Sequence, residues 1–289
     1  MNSPTERLPS RAVSKRRPHL APWRMAGRAS EDQPSADAVV RETGWVFNNE
    51  TGERLTLDEF VATGTEEVGW YCHHLGLFWG TAASGRTFVE IGAGIGRMTA
   101  ALTRYYHRVV ACDLDAAFLE RCRETVALHG TVEHLQTSLV EDGRTLALAD
   151  DSADVVFSYI TLQHCTRDDA LALVREALRV VRPGGRVALN FRTWTAKDVF
   201  LVPVGAVVRL VWRVIPPLAK APRLVTRFGW QANRLTPNDV VPVAQEVRPD
   251  AALTMVFQSS RRPSNMTSPV PVHRLEGAHP GHWWLVVQR

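Results

Sequence analysis

From Thr87 to Phe191, short apolar runs alternate with longer amphipathic ones. "TFVEIG", "RVVACD", "VEHLQTS", "ADVVFSYI" and "RVALNF" have the length and β-branched content of strands. Between them, "IGRMTAALTRYY", "DAAFLERCRETVALHG" and "RDDALALVREALRVV" carry apolar residues at the helical period. Asp115 stands where a helix N-cap belongs, a glycine stops that helix, and "RPGG" ends the next one. Near-continuously apolar strands alternating with helices predict a parallel sheet covered on both faces. Ligands of such sheets bind beyond the carboxyl ends of the strands.

The flanks are patterned differently. A helix is predicted from Thr56, whose spacing to Glu59 is that of a capping box, with apolar positions at Phe60, Val61, Val68, Tyr71 and Leu75. Residues 1 to about 36 are rich in Pro, Ser and Arg without apolar periodicity, which predicts a disordered basic tail, with a helical cap over 37–84. After the fifth strand, "TPNDVVPVAQEV" reads as a helix, and "ALTMVFQ" and "HWWLVVQR" as strands separated by a Pro- and Ser-rich loop. The 289 residues thus divide into tail, cap and a domain over 85–289 that holds an insert at 197–235.

Charge sharpens this division. Residues 1–30 hold seven Lys and Arg against Glu6, a net of +6, while the whole chain is +4, so the body is near −2. A near-neutral body does not suit nucleic acid, which selects basic surfaces. The tail reads as a solvated leader or as an Arg- and Ser-rich targeting peptide. No apolar run of membrane-spanning length is free of charge; Val199 to Ile215 contains Arg209 and Arg213. Cys72, Cys112, Cys122 and Cys165 show no paired or metal-like spacing and read as reduced thiols, so a cytoplasmic protein without a bound metal is expected.

The chemistry starts at "FVEIGAGIGRMTA", residues 88–100. A glycine-rich strand-to-helix turn holds a nucleotide, but a dinucleotide turn needs glycine where Arg97 stands. Glu90 ends the strand before the loop, where a carboxylate would repel a pyrophosphate and suit a cationic ammonium or sulfonium. Asp113 ends the second strand, 21 residues after Gly92, at the place where a carboxylate accepts both hydroxyls of a ribose. An adenosyl ligand without phosphates meets all of these conditions.

With these motifs the chain resembles the class I S-adenosylmethionine-dependent methyltransferases of the small-molecule "type 11" kind. "VEIGAGIGR" is similar to their first motif, "VVACDLD" to the second, "LADDSADVVFSYITLQHC" to the fourth-strand region and "VREALRVVRPGGRVAL" to the fifth. The resemblance is strongest over residues 85–192. It implies a Rossmann-like α/β fold: a doubly wound, mostly parallel seven-stranded sheet with a reversed last strand, a helical N-terminal cap and a helical insert. It also implies S-adenosyl-L-methionine as cofactor. Glu90, Gly92, Ala93, Gly94 and Arg97 would surround its methionyl part, and Asp113 and Leu114 the ribose and adenine. Ser138 stands where the family usually has an Asp for the adenine amine, so the backbone near Leu139 shares that role, and Ser158 completes the cofactor set.

For the acceptor, "SYIT" at 158–161 replaces the [DN]PP[YF] of nucleic-acid amino methyltransferases. His164, between the fourth strand and the next helix, is the candidate general base for a hydroxyl acceptor, a capping or packed histidine being equally compatible. His73 and His74, beside Trp70 and Tyr71, are the reserve candidates. Residues 199–230 contain no acid and five basic residues; such an insert is a lid, a homodimer element or a peripheral membrane contact. The leading expectation is O-methylation of a small molecule, sugar-like or lipid-linked. N- or C-methylation of a metabolite, and an adenosyl-binding protein without catalysis, stand as alternatives.

Overall fold

The computed structural model describes residues 20–47, 55–78, 85–194, 196, 198–214, 233–258, 272–275 and 281–289. An eight-stranded sheet crosses the protein. Its strands are β1 (Thr87–Ile91), β2 (Arg108–Asp113), β3 (Leu135–Leu139), β4 (Ala153–Ser158), β5 (Val181–Arg192), β6 (Ala252–Phe257), β7 (Val272–Arg274) and β8 (His282–Gln288), in the spatial order β3-β2-β1-β4-β5-β8-β6-β7. All neighbouring pairs are parallel except the two made by β8, which runs against both β5 and β6. The reversed last strand is as expected. The seven-strand expectation needs one correction: β7, three residues long, adds an eighth strand within the stretch expected to be loop. It is too short to show a period of two.

The chain winds outward from β1 through β2 to β3, then returns to β4 on the other side of β1. This reversal leaves a crevice at the carboxyl ends of β1 and β4. The register aligns those ends: Ile91 lies beside Cys112, and Glu90 beside Phe157. Helices α4 (Thr99–Tyr105), α5 (Ala116–His129), α6 (Arg167–Val180) and α8 (Pro237–Val247) connect and cover the strands, and α7 (Asp198–Val214) begins the insert. On one face, α6 and α8 enclose a core of Leu173, Val174, Leu178, Val241 and Trp283. On the other, Tyr71, Leu102, Tyr106, Phe157 and Trp284 pack together. Trp283 and Trp284 are adjacent on β8, so the two-residue period sends one indole into each core.

Three helices precede β1: α1 (Ala21–Asp32), α2 (Ala36–Phe47) and α3 (Leu57–His74). The cap of α3 forms as its sequence predicts, with Thr56 Oγ1 accepting from Glu59 N at 3.2 Å and Glu59 Oε2 accepting from Thr56 N at 2.8 Å. Helix α1 corrects the tail boundary. Residues 21–32, expected to be disordered, form a helix whose buried side carries Ala21, Pro22, Ala26, Gly27, Ala29 and Ser30, with Arg24 and Arg28 outward. Arg24, Arg28, Glu31 and Asp32 keep the mean hydropathy of the segment low, so it reads as polar although its apolar side is well segregated. Arg121 Nε of α5 donates to Ser30 O at 3.0 Å and its NH1 pairs with Glu124 at 2.7 Å, pinning α1 to the domain. The tail expectation for residues 1–19 lies outside the described residues.

Gly64 of α3 sits where the helix crosses the glycine turn: a Cβ there would overlap the Arg97 carbonyl, whereas a Cβ at Gly69 on the same helix meets nothing within 4 Å. Gly64→Ala should therefore lower the unfolding free energy by roughly 1–3 kcal/mol through overpacking. Gly69→Ala should raise it by up to about 1 kcal/mol through helix propensity. Urea denaturation of both variants checks the pair; equal effects would mean that α3 does not approach the turn this closely.

Candidate active site

The crevice at the β1–β4 reversal contains a cavity of about 240 Å³. Its floor is the turn after β1. Gly92, Gly94 and Gly96 have φ of 81°, 56° and 91°, conformations that side chains with a Cβ resist. A Cβ on Gly92 would overlap the Thr161 side chain, and one on Gly94 would lie 3.1 Å from Phe47. Glycine here does two jobs, turning the chain and leaving room for the cavity.

Asp113 holds this turn from β2. Its Oδ2 accepts from Gly94 N at 2.9 Å and its Oδ1 from Asp115 N at 3.0 Å. Each carboxylate oxygen keeps a second acceptor position, so hydroxyl donors in the cavity can still be received. Burial pushes the Asp113 carboxyl up to about 6, although these N–H bonds oppose the shift. Glu90 lies beneath the turn, and its Oε2 accepts from Thr99 Oγ1 at 2.6 Å. Burial raises its pKa to about 7, with the Thr99 bond and the Arg97 charge pulling the other way. Two carboxylates removed from water with raised pKa values form a site that a cationic ligand would stabilise.

Glu90, Gly92, Ala93, Gly94, Arg97, Asp113 and Leu114 all line the cavity, as does His164. Arg97 turns partly toward the cap: NH2 pairs with Glu67 at 2.5 Å and NH1 donates to Thr63 Oγ1 at 3.2 Å. Ser138, Leu139 and Ser158 are not on the lining, and Val140 takes the β3 side instead. Ser138 lies next to Cys112 in the sheet, while Ser158 is fully buried and donates to Ile91 O at 3.0 Å, stitching β4 to β1. His73 and His74 are exposed and absent from the lining; His74 Nδ1 lies 2.7 Å from Trp70 O.

His164 ends a single 3-10 turn, Leu162–His164, just past β4. The Gln163 side-chain amide nitrogen lies 3.2 Å from its Nε2. Thr166 caps α6 by accepting from Asp169 N, and the Asp169 carboxylate takes Arg144 Nε at 2.5 Å.

An aromatic roof was not expected from the sequence. Trp23 of α1 meets the His164 ring at a centroid distance of 5.0 Å, Phe47 at 5.5 Å and Phe118 at 6.3 Å, each edge to face. Trp23, Phe47, Phe60 and Phe118 all line the cavity. The signal for Trp23 was weak, a lone indole among small and basic residues. On the opposite wall Tyr159 lines the cavity, its hydroxyl 3.0 Å from that of Tyr71, which accepts from Gln258 Nε2 at 3.1 Å. Burial raises the Tyr159 pKa well above the ordinary value, so this phenol stays protonated. Among the described residues, no group of three His, Cys, Asp or Glu side chains is placed to hold a metal ion.

Residues 89–189 match the family model described as a methyltransferase domain, over the strands that build this cavity. The chain carries a class I methyltransferase domain. This domain is 32% identical over 114 residues to carboxy-S-adenosyl-L-methionine synthase of Pseudomonas putida, covering 38% of this chain and 46% of that protein. It is 30% identical over 139 residues to malonyl-[acyl-carrier protein] O-methyltransferase of Methylococcus capsulatus, covering 48% of this chain and 46% of that protein. The chain thus spans less than half the length of these curated relatives. Magnesium protoporphyrin IX methyltransferase from Synechocystis, solved with bound SAH, shares the fold at a TM-score of 0.53 and 14% identity over 88% of this chain and 97% of that one.

The glycine cradle, the two buried carboxylates and the aromatic roof fit an adenosyl ligand that carries positive charge and no phosphate. For a carboxyl with a raised pKa, the stability contribution is full below the unfolded value and is lost as pH rises through the folded one. For Glu90 that window runs from 4.5 to about 7, and a bound cation removes the loss by favouring the ionised form. S-adenosylmethionine affinity should therefore fall about fivefold from pH 7 to pH 6, with proton release on binding. Calorimetry in buffers of different ionisation enthalpy measures both; pH-independent binding would show that Glu90 is already ionised.

Removing residues 1–19 should leave ligand affinity unchanged, whereas removing 1–32 takes Trp23 off the cavity and should weaken it several-fold. Titration of S-adenosylhomocysteine into both truncated proteins tests this. Equal affinities would make α1 a bystander.

Proposed function

We propose that the protein transfers a methyl group from S-adenosylmethionine to a hydroxyl of a small molecule, with His164 as the base. The observation that carries this reading is that a single cavity joins the glycine turn, Glu90 and Asp113 to His164. The bound cofactor supplies a methyl group activated by its sulfonium. Glu90 faces the positive charge, Asp113 receives the ribose hydroxyls, and Phe47, Phe118 and Trp23 exclude water. The acceptor enters past Tyr159 and Thr161, and its hydroxyl takes the place of the Gln163 amide at His164 Nε2. A hydroxyl holds its proton at neutral pH, so one base is the minimal machinery. The likeness to the Methylococcus O-methyltransferase supports an oxygen acceptor.

No described helix is long and apolar enough to cross a membrane. Helix α7 exposes Val199, Phe200, Val207 and Leu210 while Val208 packs with Ala21 and Met25 of α1, which suits a lid over a lipid-like acceptor. Residues 215–232 of that insert lie outside the described residues.

Methyl transfer from labelled cofactor into a cell extract, followed by mass analysis of the product, identifies the acceptor and the atom. With that acceptor, His164→Ala should lower turnover ~10²–10⁴-fold, the usual worth of general-base assistance. Affinity for S-adenosylhomocysteine should stay within twofold. Wild-type turnover in the variant would remove the base and point to a nitrogen acceptor.

A further inference from the structure

At the carboxyl end of β5, two arginines share one carboxylate. Asp198, fully buried at the start of α7, accepts from Arg234 Nε at 3.1 Å and from its NH2 at 2.8 Å. Arg192 NH2 reaches the same oxygen only at 3.7 Å, and Arg192 Nε is buried without a hydrogen-bond partner. The Arg192 and Arg234 side chains are 21% and 12% exposed, so the cluster carries an excess positive charge largely out of water. The insert cannot balance it, because residues 199–238 contain no Asp or Glu. Desolvation and the neighbouring Arg234 charge weaken the proton affinity of Arg192. Asp198 meets Arg192 at long range and leaves its Nε unsatisfied, and a guanidinium fork suits carboxylate and phosphate, so a second anion fits beside it.

The cluster is tied to the catalytic turn. Asn233, next to Arg234, donates from Nδ2 to Leu162 O at 2.6 Å and to Cys165 O at 2.8 Å, the residues bracketing His164. Asn190, two residues before Arg192 on β5, lies 3.4 Å from Ile160 N on the cavity wall and 2.9 Å from His282 Nδ1. Through Asn190 and Asn233, an anion at Arg192 would therefore sit next to the segment that carries His164, just outside the present cavity lining.

We propose that Arg192 and Arg234 form an anion subsite of the acceptor pocket, so that the methyl acceptor carries a carboxylate or phosphate group. This rests on the acceptor reading above, but its test does not require methyl transfer. Melting temperature is followed against sodium phosphate and against sodium malonate, with sodium chloride at matched ionic strength, and S-adenosylhomocysteine is titrated into the same proteins. The wild type should be stabilised saturably by phosphate or malonate beyond chloride, the larger response naming the group. Arg192→Gln, which leaves the Arg234–Asp198 pair intact, should weaken the anion at least tenfold, while Arg192→Lys retains part of the response. Asp198→Asn should melt lower in chloride yet gain more from the anion than wild type does, an opposite sign that a purely structural role would not give. No saturable anion effect in wild type, or an undiminished one in Arg192→Gln, overturns the subsite. Loss of S-adenosylhomocysteine binding in wild type would instead overturn the methyltransferase reading and leave the anion result standing.

Discussion

Two carboxylates taken out of water at one edge of a parallel sheet set the terms for the rest of this protein. Glu90 and Asp113 end adjacent strands, and burial raises both pKa values by more than the nearby N–H and O–H donors lower them. The fold tolerates this because the same groups organise the turn: Asp113 fastens the Gly94 amide, and Glu90 fastens Thr99 at the start of α4. The glycines let the backbone curl tightly enough to reach those acceptors. What remains is a negative, roofed cavity whose electrostatic cost is relieved when a cation enters.

The helices before β1 complete the cavity. Helix α3 crosses the turn at Gly64, so close that its only tolerated side chain is a hydrogen. Helices α1 and α2 then lay Trp23 and Phe47 over the opening, against Phe118 of α5. An adenine needs apolar faces to stack on and exclusion of water around its polar edge, which this aromatic cluster supplies. The N-terminal segment is thus part of the pocket wall. Its anchorage runs through Arg121 and Glu124 on α5, the helix that follows Asp113, so the cap and the cofactor edge share one support.

A second charged cluster lies outside the cavity lining, at the carboxyl end of β5. The insert leaves β5 and returns through Asn233 and Arg234, and both ends meet at Asp198 and the 162–165 turn.

The sequence alone carried the alternation of strands and helices and the glycine turn with its flanking carboxylates, because each is local. A strand ending in Glu90, glycines at alternate positions and Asp113 closing the next strand are read within a few residues of one another. The Thr56–Glu59 cap and the Asp115 cap are equally local. What only the tertiary structure decided depends on partners far apart in the chain. Trp23 acquires its place through packing on Phe118 and His164, and the charged residues of its helix make that segment read as polar. Val140, rather than Ser138, lines the cavity because it lies just past the carboxyl end of β3, whereas Ser138 sits within the sheet beside Cys112. The Arg192–Asp198–Arg234 cluster joins residues separated by a whole insert. Charge balance in a buried site is a property of three-dimensional neighbours, and no spacing rule along the chain records it.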